Sequence, residues 1–154
     1  MTKTGRNDTI YVDFQCRTEQ LVVVGKTAER RRIMISYEIR AELSETGLDC
    51  TEMIRKFMDS EEMFLKYFKK FFAAADSVVE ELRTAVDADD TAAIENRAHA
   101  LKGLSGNIGL GGVFDPAKKI VDDVRMGNFS TYNGELSKLL SAYEKARAVA
   151  EKLD

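Results

Sequence analysis

The sequence predicts an all-α fold, an up-and-down antiparallel helical bundle over residues 47–154, preceded by an N-terminal extension (1–46) with short β-strands. Three observations predict it. From Gly47 onward, apolar residues recur at spacings of three and four, the period of an amphipathic helix. The only proline in 154 residues is Pro116, so little interrupts long helices. The breaks between periodic stretches are short and rich in Asp, Gly and Asn, as connections between antiparallel neighbours are.

The extension comes first. Ile10, Val12, Phe14 and Cys16 alternate strictly, and Leu21 to Val24 is a β-branched run, so both segments read as strands. Ile33, Ile35, Tyr37, Ile39, Ala41 and Leu43 alternate again, but the stretch from Glu38 to Glu45 is rich in helix formers, and this third segment stays open between strand and helix. The extension resembles nothing nameable; an edge-pairing dimer element, a tether to another domain and a remnant of cloning all fit it.

After Gly47, Ile54, Phe57 and Met58 indicate a short helix. A long one follows Ser60, with Glu61 and Glu62 in its first turn and Phe64, Phe68, Phe71, Phe72, Ala75, Val78, Val79 and Leu82 on one broad face. That aromatic spacing is the spacing of a core, not of a cofactor box. The acids from Asp87 to Asp90 lack the spacing of a calcium loop and suit a cap, with Asp90 or Thr91 as N-cap of the next helix. Gly109, Gly111 and Gly112 read as helix termination. Asp115-Pro116 reads as the next helix start, with Asp as cap and Pro at the first position, and Ile120, Val121 and Val124 inward until about Met126. Gly127-Asn128 ends it. The last helix, from about Thr131 to Lys152, turns Leu136, Leu139, Leu140, Tyr143, Ala146 and Val149 or Ala150 inward.

His99 is the only histidine. On a helix from Ala92 to Ile108, the residues Ile94, Ala98, Leu101, Ser105 and Ile108 form an apolar stripe roughly 80° wide. His99 falls roughly 140° from its centre, on the water side, with Gly103 and Gly106 within about 40° of it. A helix gains nothing from two such glycines, each costing roughly 1 kcal/mol relative to Ala. An exposed neutral imidazole is a competent nucleophile near neutral pH. Absent Cβ atoms let a second molecule approach, and Lys102, three residues on, brings a mobile cation to the ring. Nucleophile, clearing and cation together suit a phosphoryl-accepting site. Each feature also has an ordinary reading: a lone exposed histidine is usually just surface, glycines serve packing or helix ends, and a lysine alone means nothing. Asn107, near the same face, suits either partner contact or helix-end capping.

The string Ala98-His99-Ala100-Leu101-Lys102-Gly103-Leu104-Ser105-Gly106-Asn107-Ile108-Gly109 resembles the signature of histidine-containing phosphotransfer (HPt) domains. The resemblance extends more diffusely from about Gly47 to Leu153. It implies an elongated bundle with a four-helix core and His99 as phosphoacceptor midway along one helix, supported by Lys102 and Gly103. Many members carry Gln or Glu on the following helix near the phosphate; a gap-free reading puts Val121 there.

The expected function is therefore that of a phosphorelay intermediate, accepting a phosphoryl group from a receiver-domain phosphoaspartate and passing it to another receiver. The partners expected are receiver domains and a hybrid sensor histidine kinase. No cofactor is expected on this chain; Mg²⁺ belongs to the receiver. The alternative is a helical adaptor that docks receivers without phosphotransfer. Kinase activity is not expected, since 154 residues leave no room for an ATP-binding domain beside the bundle, and Gly109-x-Gly111-Gly112 lacks the Lys-Ser/Thr of a P-loop.

Composition agrees with that class. A net charge of −3 argues against nucleic-acid binding driven by bulk charge. Arg30-Arg31-Arg32 is offset by nearby acids, and Lys69-Lys70 fits the wet face of a helix. Cys16 and Cys50 stand far apart, with one histidine to join them, which disfavours zinc. No apolar run reaches the roughly 20 residues of a membrane span, and the polar start is unlike a signal peptide. A cytoplasmic chain with reduced thiols is expected.

Overall fold

The computed structural model describes residues 35–153, and the two strands expected between residues 10 and 24 lie outside them. Six helices occupy the described residues: α1 (Tyr37–Glu45), α2 (Cys50–Lys56), α3 (Glu61–Asp87), α4 (Thr91–Ile108), α5 (Gly111–Arg125) and α6 (Tyr132–Lys152). Among these residues there is no strand.

Short polar side chains start four of the helices by accepting a backbone N–H that has no partner inside the helix. Ser36, Asp49, Ser60 and Asp90 do this for α1 to α4, each bonding the amide three residues on. Gly109 ends α4 in the left-handed conformation (φ 68°), where glycine carries no Cβ penalty. Helices α3 to α6 form the bundle, α4 packing between α3 and α5, and α5 against α6. Phe71 and Phe72 of α3 meet the Tyr143 ring of α6, whose hydroxyl donates to Asp76. Phe64, Phe68, Leu82, Ile94, Leu101, Ile120 and Leu139 are fully enclosed, so the helical period read in the sequence is the period of the core.

Helical propensity prevails over alternation in the third segment. Residues 37–45 are α1, with Leu43 fully buried and Tyr37 82% exposed. This helix falls within the stretch assigned to an extension, yet it belongs to the same compact unit as the bundle. Arg40 pairs with Glu61 of α3, and Lys152 of α6 donates to Glu42. The expected boundary after residue 46 therefore runs through packed structure. Just past the end of α2, Met58 turns outward, 83% exposed at φ 57°. Phe57 takes the inward place, stacked on Tyr67 at 5.1 Å.

The start of α5 also differs from the sequence expectation. It begins at Gly111, and Pro116 is its sixth residue, inside the helix instead of at its first position. Tertiary contacts move the start forward. Gly111 and Gly112 donate to the carbonyls of Gly47 (3.2 Å) and Thr46 (2.9 Å), while Leu110 and Val113 are fully buried around the turn. A Cβ at Gly111 would stand 2.9 Å from the Gly47 oxygen. These two glycines thus open a helix against the α1–α2 loop, where the sequence suggested termination.

Candidate functional site

The site is the exposed face of α4. Its buried stripe is Ile94, Ala98, Leu101, Ser105 and Ile108, as the period predicts. Ser105 sits in that stripe without loss, since its hydroxyl donates to the Leu101 carbonyl at 2.6 Å. With the stripe turned inward between α3 and α5, His99 is left on the solvent side and is exposed.

Around the ring the predicted residues take different parts. Lys102, one turn further on, is half-buried, and its ammonium makes no ion pair or hydrogen bond among the described residues. Gly103 is exposed, and a Cβ built on it meets nothing within 4 Å, so open space stands beside the imidazole. Gly106 is different. Its missing Cβ would lie 3.3 Å from the Phe114 ring of α5, so this glycine seats an aromatic side chain rather than clearing the surface. Asn107 is exposed, and among the described residues its side chain makes no capping hydrogen bond; the helix end is closed by the Gly109 and Leu110 amides, which donate to Gly106 (3.3 Å) and Ser105 (3.0 Å). Val121 is enclosed at 1% exposure, so the α5 position expected near a phosphate offers no hydrogen bond.

Charge arrives from α5 by a route not visible in the His99 motif. Arg125 Nε donates to Glu95 Oε1 at 2.6 Å, and Glu95 is one turn before His99. Together with the Gly106–Phe114 approach, this sets α4 and α5 antiparallel in a defined register. Phe114, Lys118, Val121 and Arg125 follow at spacings of four, three and four along the α5 edge that faces α4. Lys118 on that edge is exposed and unpaired among the described residues. On the other flank Arg97 pairs with Glu81 of α3 at 2.8 Å. The arrangement offers a nucleophile in open solvent, an unencumbered approach over Gly103, and cations on two helices. Sequence reasoning missed Glu95, Lys118 and Arg125; the first was legible four residues before His99, whereas the other two needed the α4–α5 register.

Among the described residues no three His, Cys, Asp or Glu side chains are grouped to hold a metal ion, and no described helix is long and apolar enough to cross a membrane. Comparison with known proteins adds one finding. The family model of the Hpt domain matches residues 66–149, from the first third of α3 to near the end of α6. No curated protein and no solved structure matches the chain. With more than half its length matched, and with a helical bundle that leaves its one histidine exposed on a central helix, the chain belongs to the Hpt domain family, the phosphocarriers that work with receiver domains in histidine phosphorelays.

Proposed function

We propose that this chain is a phosphorelay intermediate whose phosphoacceptor is His99. A receiver domain docks on the exposed face of α4 and brings its phosphoaspartate and Mg²⁺. An unprotonated imidazole nitrogen attacks phosphorus with its lone pair. The N–P bond forms as the acyl O–P bond breaks, and the electron pair of that bond returns to the aspartate carboxylate. Attack of a second receiver's aspartate carboxylate reverses these steps. Lys102 offsets phosphoryl charge in transit and at rest, and Gly103 leaves room for the receiver's pocket to close over the ring. The donor is the receiver domain of a hybrid sensor kinase.

The observation that carries this reading is the exposed His99 beside the unobstructed space over Gly103. Incubation with receiver domains phosphorylated by acetyl phosphate tests it. Acid-labile label is expected on the wild-type chain and absent from His99→Gln, with far-UV circular dichroism unchanged because the replaced side chain is exposed. Label that persists in His99→Gln would refute the assignment. Binding of a phosphorylated receiver with no label passed to this chain would show a docking adaptor instead.

A further inference from the structure

The Glu95–Arg125 pair crosses from α4 to α5 beside His99. Glu95 and His99 are four residues apart, so their Cβ atoms stand about 6 Å apart on one face. Long helical side chains lean toward the N-terminus of their own helix. Because α5 runs antiparallel to α4, Arg125 leans along α4 from Glu95 toward His99. Its side chain is 56% exposed, so packing does little to hold it, and only the Glu95 carboxylate is bonded to it among the described residues.

We propose that Arg125 is a phosphate-sensing residue of this face: Glu95 holds it in the unphosphorylated chain, and a phosphoryl group on His99 takes it over. This rests on the reading of His99 as phosphoacceptor. A phosphoryl group carries nearly two negative charges and three acceptor oxygens, against one charge on the carboxylate. A guanidinium meets such a group through two parallel N–H donors. The exchange leaves Glu95 without its partner and close to the new charge. Glu95 therefore opposes phosphorylation twice, by competing for Arg125 and by repelling the phosphoryl group, and so keeps the group easy to pass on. Arg125 supplies the α5 contact that Val121 cannot.

Phosphoramidate, which labels exposed imidazoles without any protein partner, gives the test in the full chain. On phosphorylation the ¹⁵N resonance of Arg125 Nε should shift in the wild type and stay in place in His99→Gln treated identically. Phosphorylation should also raise the urea midpoint most in Glu95→Gln and least in Arg125→Gln, with differences of about 0.2–0.5 M, the range an exposed ion pair covers. The exchanged pair Glu95→Arg with Arg125→Glu separates this role from a structural one. It should recover the unphosphorylated midpoint without recovering the wild-type rise in midpoint on phosphorylation. An Arg125 resonance blind to phosphorylation, or equal phosphorylation shifts in all variants, would overturn the proposal, as would an imidazole that phosphoramidate cannot label. If these effects appear but no receiver exchanges the group, the relay reading fails while the sensor stands.

Discussion

The same substitution, glycine to alanine, should move stability in opposite directions at two positions, and the structure says why. At Gly103 an added Cβ meets nothing within 4 Å. Only helix propensity then acts, and Gly103→Ala should gain up to about 1 kcal/mol, worth roughly 3–5 °C in Tm for a domain of this size. At Gly112 the Cβ would lie 2.9 Å from the Ala142 Cβ and closer still to the Thr46 carbonyl oxygen. That oxygen also accepts the Gly112 N–H at 2.9 Å, so neither neighbour can rotate away. Overpacking of about 1–3 kcal/mol and a weakened hydrogen bond of about 1 kcal/mol outweigh the propensity gain. Gly112→Ala should therefore lose about 1–3 kcal/mol overall. Thermal and urea unfolding followed by circular dichroism read both. Gly103→Leu completes the series: it should remain folded while transfer from a phosphorylated receiver slows more than in Gly103→Ala, because the larger side chain fills the space the receiver needs. A destabilised Gly103→Ala would show that the space beside His99 is not open. Normal transfer by Gly103→Leu would show that the opening has no part in function.

Two further outcomes are expected. Lys102→Ala should slow phosphotransfer several-fold without lowering stability measurably, Lys102→Arg should recover part of the rate, and added salt should slow the wild type more than Lys102→Ala; equal salt sensitivity and unchanged rates would mark Lys102 as an ordinary solvated side chain. Hydrogen bonds from Lys119 and then Lys138 hold the Glu135 carboxyl below its usual value of 4.5, so its contribution is present in full above that value and is lost as pH falls through the lowered one. Glu135→Gln should accordingly be less stable than wild type at neutral pH and converge with it in acid, as urea midpoints across a pH series will show; a gap unchanged by acid would remove the carboxylate from the account.

Local chemistry made much of this protein legible before any coordinates. The α4 stripe was readable because a helix places every third and fourth residue on one face, and the same stripe necessarily put His99 on the other. Ser60 and Asp90 declare helix starts because a short side-chain oxygen can reach a free amide within its own turn. The phosphotransfer motif was legible for a related reason: His99, Lys102 and Gly103 lie within two turns of one helix, so their mutual placement needs no tertiary information.

Where two distant segments meet, the sequence was silent or misleading. The Asp115-Pro116 pair looks like a helix start, but the Gly111 and Gly112 amides find acceptors in a loop more than sixty residues earlier, and those bonds set the start instead. Alternation at 33–43 could not reveal that Leu43 would be enclosed and that its segment would pack on α6, which favours α1 over a strand. Gly103 and Gly106 are the same residue type and both lie within about 40° of His99, and only the arrival of Phe114 gives one a packing role and leaves the other open. The sequence alone thus determined the helices, the buried stripe and the exposed histidine, because each depends on neighbours within a turn or two. Tertiary structure decided which glycine is packed and which stays open, and which α5 cations lie along the edge that faces α4, because those follow from the register of α4 against α5, set by contacts that no local pattern encodes.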